Sequence, residues 1–151
     1  MNLGEKYKVQ LSLSDFNDAR ILAFNFVNPA TRVLDVGCAC GDFGALLSNS
    51  KSCNVHGVDY DADSLKLAAS TACYQHLEQA DLNVYDIKRH PEWNSYFDCI
   101  TFLDVLRATY LPAFPVSQWL YRIVSDWAFV LFTAAGQWRD CTSLPQRDSE
   151  S

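Results

Sequence analysis

Apolar residues recur at helical spacing in the segment SLSDFNDARILAFNFVN, at Phe16, Ala19, Leu22, Ala23 and Phe26. The spacing predicts an amphipathic helix capped by Ser14 or Asp15 and stopped at Asn28-Pro29. RVLDV then forms a short, nearly continuous apolar run ending in glycine, the pattern of a strand buried on both faces of a parallel sheet. DFGALLSNS predicts a short helix with Phe43, Leu46 and Leu47 on one side. The pattern repeats with NVHGVD as a strand and DADSLKLAASTACYQH as a helix capped by Asp61 or Asp63. A weaker strand is expected within QADLNVYD, a loop through IKRHPEWNSY, and a strong fourth strand in FDCITFLDVL. PVSQWLYRIVS predicts a helix with Val116, Trp119, Leu120 and Ile123 on one face, and WAFVLFTAA a fifth strand. From Gln137 the chain turns polar, and PQRDSES reads as disordered.

Strands alternating with helices imply an α/β architecture with a mostly parallel sheet of about five strands flanked by helices. In such sheets ligands bind at the carboxyl ends of the strands, where strand order reverses. Residues 1–13 read as a polar N-terminal segment, 14–140 as one domain and 141–151 as a flexible tail. An apolar share of 49% over 151 residues supports a core of that size. The net charge of -6 and a pI near 4.8 argue against nucleic acid as a partner. There is no leader-like start and no apolar run long enough for a bilayer, so a cytoplasmic protein without membrane contact is expected. The six cysteines show neither CxxC pairs nor Cys/His spacing typical of zinc; no metal is expected, and most cysteines read as small buried residues. His56 reads as structural, and His76 and His90 as surface or loop residues.

The chemistry concentrates where the first strand ends. Asp35 lies inside the apolar run, and Gly37, Ala39, Gly41 and Gly44 shape the turn after it, where a ligand can approach the backbone closely. Asp59 ends the second strand, at the place where such folds accept hydrogen bonds from ribose hydroxyls. The pair reads as a nucleoside site. A dinucleotide fingerprint would need glycines at 37, 39 and 42, where this chain has Gly37, Ala39 and Asp42, and a carboxylate at 42 would face the pyrophosphate. S-adenosylmethionine carries no phosphate and has a cationic amino group and sulfonium, which suits the acids at 35 and 42.

VLDVGCACG, followed in order by VHGVD, ADLN and FDCITFLDVL, resembles the motif series of the class I S-adenosylmethionine-dependent methyltransferases over about residues 14 to 135. The resemblance implies a Rossmann-like methyltransferase fold with S-adenosylmethionine as cofactor and a small-molecule acceptor. It implies that Asp35, Gly37 and Gly41 line the methionine part, with Cys38 and Ala39 supplying backbone. Asp59 would hold the ribose and Tyr60 flank the adenine. Asp81 and the Leu82 amide would meet the adenine edge, with Asp86 a rival for that place. Asp104 would lie beside the transferring methyl as the candidate catalytic residue, its bland alternative being a helix cap before VLRATYL.

Departures qualify the expected activity. Arg107-Ala108 stands where many small-molecule methyltransferases carry Glu-His, and the Asn/Asp-Pro-Pro-aromatic motif of amino-directed members is absent. Leu106 to Thr109 and Gly136 to Arg139 resemble segments of the MetW family of methionine biosynthesis. That resemblance implies the alternative of a non-catalytic cofactor-binding partner of a homoserine acyltransferase. The usual C-terminal strand pair is expected to be missing, which would leave WAFVLF as an exposed edge. Either a homodimer through that edge or a chain cut short is expected.

Overall fold

The computed structural model describes residues 11–14, 18–82 and 84–103, with the side chain of Ile87 excepted, and the backbone of 124–134 and 137–140. One six-stranded sheet runs through them in the order β3-β2-β1-β4-β5-β6. Its strands are β1 (Arg32–Val36), β2 (Asn54–Asp59), β3 (Tyr74–Gln79), β4 (Phe97–Leu103), β5 (Val124–Ala134) and β6 (Gln137–Asp140). The first five pair in parallel, and β6 returns antiparallel to β5. Three helices are described: α1 (Ala19–Phe26), α2 (Asp42–Lys51) and α3 (Ala62–Ser70). This is the mostly parallel α/β arrangement expected from the alternating pattern, and the Rossmann-like fold that the resemblance implied, with strand order reversing between β1 and β4.

Consecutive residues of each central strand go to opposite faces and build two cores. Val33, Val55 and Cys99 pack with Ala23, Phe24, Phe43 and Leu47 of α1 and α2. Leu34, Val36, Val58, Ile100 and Phe102 pack on the other face with Trp93 and Phe97. The opposite end of the sheet is pinned electrostatically. Arg32 at the start of β1 donates from its guanidinium to both carboxylate oxygens of Asp98 in β4, at 2.9 and 2.6 Å, and its backbone N–H also reaches Asp98, at 2.9 Å.

Four elements differ from the sequence expectation. Helix α1 begins after Asp18, whose carboxylate accepts from the Arg20 N–H at 2.8 Å; Asp15 and Phe16 fall outside the described residues. Helix α3 stops at Ser70, because Ala72 takes a left-handed backbone (φ 54) that the helix cannot continue through. Tyr74–Gln79 is therefore strand β3 rather than helix, and β3 shares only Gln79 with QADLNVYD, the segment in which the third strand was expected. Its polar sequence YQHLEQ suits its position at the edge of the sheet, where full burial is not demanded. The helix expected over Pro115–Ser125 falls outside the described residues, except that Val124 and Ser125 already belong to β5. Finally, β6 pairs with Leu131–Ala134, so that stretch of the fifth strand is not the open edge from which a homodimer was expected. The tail 141–151 lies outside the described residues.

Candidate functional site

The loop from Gly37 to Gly41 turns in three left-handed steps, Gly37 (φ 76), Ala39 (φ 47) and Gly41 (φ 85). Four of its five amides are engaged by the protein itself. Gly37 and Cys38 N–H donate to the Val58 carbonyl (2.8 and 3.2 Å), Gly41 N–H to the Cys38 carbonyl (2.9 Å), and Ala39 N–H to Asp59 Oδ2 (2.8 Å). Gly41 is also the N-cap of α2, with no side chain to cap it, and a Cβ there would stand 2.9 Å from the Ala68 Cα of α3. Glycine is needed at 41 twice over, for the backbone turn and for the close approach of α2 to α3.

Asp59, at the end of β2, clamps this loop. Its Oδ2 holds Ala39 and its Oδ1 accepts the Asp61 N–H at 2.8 Å. A carboxylate offers about four lone-pair directions, so a half-exposed Asp59 keeps acceptor capacity for a ligand hydroxyl. Asp61 in turn caps α3 through the Ser64 N–H and hydroxyl, at 3.0 and 2.6 Å. Burial pushes the Cys40 thiol up, and the carboxylates of Asp42, Asp59 and Asp61 push it the same way against a hydrogen bond with Ser64. The mouth of the loop is thus acidic and the amides of Gly37, Cys38, Ala39 and Gly41 are engaged within the protein, the opposite of a phosphate cradle. It suits a neutral or cationic ligand with hydroxyls.

Asp35 lies beneath the loop and is only 2% exposed. Thr101 donates to its Oδ1 at 2.9 Å and Tyr74 to its Oδ2 at 3.0 Å. Burial raises its pKa from 3.8 to about 6, against the lowering effect of the Thr101 and Tyr74 hydrogen bonds and with a further push from Asp59. The phenol that reaches Asp35 crosses two glycines: a Cβ on Gly44 would stand 2.1 Å from the Tyr74 hydroxyl, and one on Gly57 2.7 Å from its ring. Tyr74 is a site residue that the sequence reading missed. The available signal was the pair of glycines inside a helix and inside a strand, where neither is favoured without a close approach.

The raised Asp35 pKa has a measurable consequence. Between about 3.8 and 6 the folded state holds a proton that the unfolded chain has lost, so this residue's contribution to stability is full at low pH and falls as pH rises through that window. A shift of about two units corresponds to roughly 3 kcal/mol. Asp35→Asn should flatten the wild-type loss of stability between pH 4 and 7, measured as the difference between the two proteins in urea unfolding.

The other expected site residues are placed as follows. Tyr60 follows Asp59 on the surface, 71% exposed. The Ala80 N–H donates to the Asp59 carbonyl at 2.8 Å, which carries Asp81 and Leu82 to the carboxyl end of β3. Asp81 is exposed, and Leu82 is partly buried against the Trp93 face. Asp86 sits further along, exposed, before a 3₁₀ turn at Ile87–Arg89. Cys38 is buried, its thiol pushed far up by burial first and then by Asp35 and Asp59, and contributes backbone to the loop. Asp104, Arg107 and Ala108 lie outside the described residues, as does Gly136. The structure thus brings the ends of β1, β2 and β3 together around one mouth. His56 is structural as expected, edge-on to Trp93, Tyr96 and Phe97, and burial pulls it down to about 4. His90 is a loop residue as expected, just before the 3₁₀ turn Pro91–Trp93, and stacks on Trp93 with ring centroids 4.1 Å apart; His76 is at the surface, its side chain 41% exposed, but lies in the edge strand β3 rather than in a loop.

Comparison with known proteins bears on this geometry. A family described as Methyltransferase domain matches residues 33–125. No curated protein matches the chain. Among solved structures, a TehB-like SAM-dependent methyltransferase from Corynebacterium glutamicum is similar at 21% identity and a TM-score of 0.61, over 80% of this chain and 64% of its own. A SAM dependent methyltransferase from Aquifex aeolicus is similar at 16% identity and a TM-score of 0.62, over 85% of this chain and 69% of its own. Phosphoethanolamine N-methyltransferase 2 of Haemonchus contortus, solved with S-adenosyl-L-methionine, is similar at 19% identity and a TM-score of 0.59, over 79% of this chain and 27% of its own. The matched region therefore spans less than two thirds of the Corynebacterium protein and about a quarter of the Haemonchus enzyme.

Proposed function

Because the chain belongs to the Methyltransferase domain family, we propose that it binds S-adenosylmethionine across the carboxyl ends of β1, β2 and β3 and transfers its methyl group to a small-molecule acceptor. The observation that carries the reading is the loop, four of whose five amides are engaged internally, beside the acceptor Asp59. That arrangement disfavours a pyrophosphate and fits a cationic nucleoside. When bound, the cofactor supplies an electrophilic methyl group on sulfur. The chain's own work is to hold and orient. Gly37, Cys38, Ala39 and Gly41 offer a smooth backbone surface to the methionine part, kept in shape by Asp35 from beneath. Asp59 accepts from the ribose hydroxyls, the exposed Tyr60 ring covers one face of the adenine, and Asp81 with the Leu82 amide meets its edge. Asp104, one residue beyond β4, is the candidate to face the methyl and the acceptor. A transfer of this kind gains most of its rate from alignment of the attacking atom with the carbon–sulfur bond.

The test is calorimetric titration of S-adenosylhomocysteine into the purified chain, followed by transfer of labelled methyl to small-molecule and protein fractions of a cell extract. One-to-one binding at micromolar affinity is the expected result. A folded sample that binds nothing would overturn the proposal. The segments Leu106 to Thr109 and Gly136 to Arg139 support a second reading, a cofactor-binding partner of a homoserine acyltransferase. Binding without transfer, together with co-purification of an acyltransferase, would favour it.

A further inference from the structure

On the face of β3 turned toward Trp93, three potential ligands converge. His76 and Glu78 are two residues apart on the strand and so share a face, and His90 reaches them from the loop before the second 3₁₀ turn, Pro91–Trp93. One ligand atom from each lies within 4.8 Å of the others. Glu78 Oε2 is 3.7 Å from His76 Nε2 and 2.6 Å from His90 Nε2. His76 Nε2 is buried and has no hydrogen-bond partner, although the side chain as a whole is 41% exposed. A nitrogen lone pair or N–H left without a partner is costly, and a metal bond would satisfy it.

The neighbours of the three ligands orient them, and Arg89, whose Nη2 lies 3.5 Å from Glu78 Oε1, is the cation that an ion would have to compete with. Glu92 Oε1 lies 2.8 Å from His90 Nδ1. A carboxylate there fixes the proton on Nδ1 and leaves Nε2 to bind, the usual way a ligating imidazole is oriented. Tyr85 donates to Glu78 Oε2 at 2.8 Å, and Trp93 lies flat against His90 with an interplanar angle of 15°. Both hold their ligands in place. The cluster lies on the Trp93 face of the sheet, whereas Asp35 and Tyr74 lie with the α2 core on the other face.

We propose that His76, Glu78 and His90 bind one divalent transition-metal ion of the zinc class. Two imidazole nitrogens and one carboxylate oxygen suit Zn²⁺, Co²⁺ or Fe²⁺ better than Mg²⁺ or Ca²⁺, which prefer oxygen. Zinc bonds of about 2.0–2.1 Å in a tetrahedron put ligand atoms about 3.3 Å apart, so Glu78 Oε2, which stands 2.6 Å from His90 Nε2, must draw back by about 0.7 Å as the ion enters. Three protein ligands leave one position for water. The ion would tie the edge strand β3 to the segment carrying Tyr85 and His90.

The test uses tag-free, chelator-treated full chain titrated with ZnCl₂ in the calorimeter and with Co²⁺ in the visible spectrum. One equivalent should bind at micromolar affinity or tighter, with the absorption of four- or five-coordinate cobalt and a raised melting temperature. His76→Asn, at the most exposed of the three ligands, should abolish the one-to-one event in protein that circular dichroism shows to be folded. Glu92→Gln, which leaves all three ligands, should weaken it about 10- to 100-fold. Absence of one-to-one binding by folded wild type would overturn the proposal, as would binding unchanged in both variants. S-adenosylhomocysteine enters none of these readouts, so the two proposals stand or fall separately.

Discussion

Asp59→Ala should lower the affinity for S-adenosylhomocysteine by at least about a hundredfold, the loss expected when two hydrogen bonds to a charged acceptor, each about 1.5–3 kcal/mol, are removed. The residue does two jobs. Its carboxylate is the proposed acceptor for the ribose, and it also holds the Ala39 and Asp61 amides that set the shape of the loop and the start of α3. The substitution should therefore also reduce stability, by about 1–3 kcal/mol for the amides it leaves without a partner. The two effects separate experimentally. Urea unfolding gives the stability loss, and calorimetry at a temperature where the variant remains folded gives the affinity loss. Asp61→Ala supplies the control. It removes the α3 cap, about 1 kcal/mol, without removing the ribose acceptor, and should bind S-adenosylhomocysteine within a few-fold of wild type. A folded Asp59→Ala protein that binds as tightly as wild type would show that the nucleoside sits elsewhere.

What could be read from the chain without coordinates follows the strength of its local signals. RVLDV, NVHGVD and the core of FDCITFL are short apolar runs closed by glycine or acid, and each forms a strand where its pattern placed it. Their burial on both faces makes the pattern unambiguous. Edge strands have no such constraint. YQHLEQ carries a tyrosine that packs on one side, a bulge that shifts its register between Val55 and His56, and then histidine and glutamate on the other side. Its composition is that of a helix end, and only the left-handed Ala72 marks the break. β6 was illegible for a similar reason, since QWRD has no alternation and is held by pairing with β5.

The candidate site divides the same way. The acids at 35 and 59 and the glycines at 37 and 41 announced themselves because only special backbone or a ligand explains them. Tyr74 and the His76, Glu78 and His90 cluster did not. They become neighbours only when β3 takes its register beside β2 and the 84–93 segment folds over it, and no spacing along the chain encodes that.

Gly44→Ala should cost about 2–4 kcal/mol of stability, although alanine is the better helix former by about 1 kcal/mol. Gly44 lies in the first turns of α2, and a methyl there would meet the Tyr74 hydroxyl at 2.1 Å and its Cζ at 2.2 Å. Neither side can yield cheaply. Tyr74 is partly buried, its ring packed between Gly44 and Gly57, and its hydroxyl is one of the two donors to the buried Asp35. Pushing the ring away strains the packing by about 1–3 kcal/mol and strips a hydrogen bond from a buried carboxyl for a similar sum. The displaced Asp35 lies under the glycine loop, so affinity for S-adenosylhomocysteine should fall with stability, by about tenfold. A double-mutant cycle decides whether the ring is the cause. In a Tyr74→Ala background the space is vacant, and Gly44→Ala should become neutral or stabilising by its helix propensity. Equal costs in both backgrounds, measured by urea unfolding, would mean that Gly44 is required for a reason other than the passage of Tyr74 to Asp35.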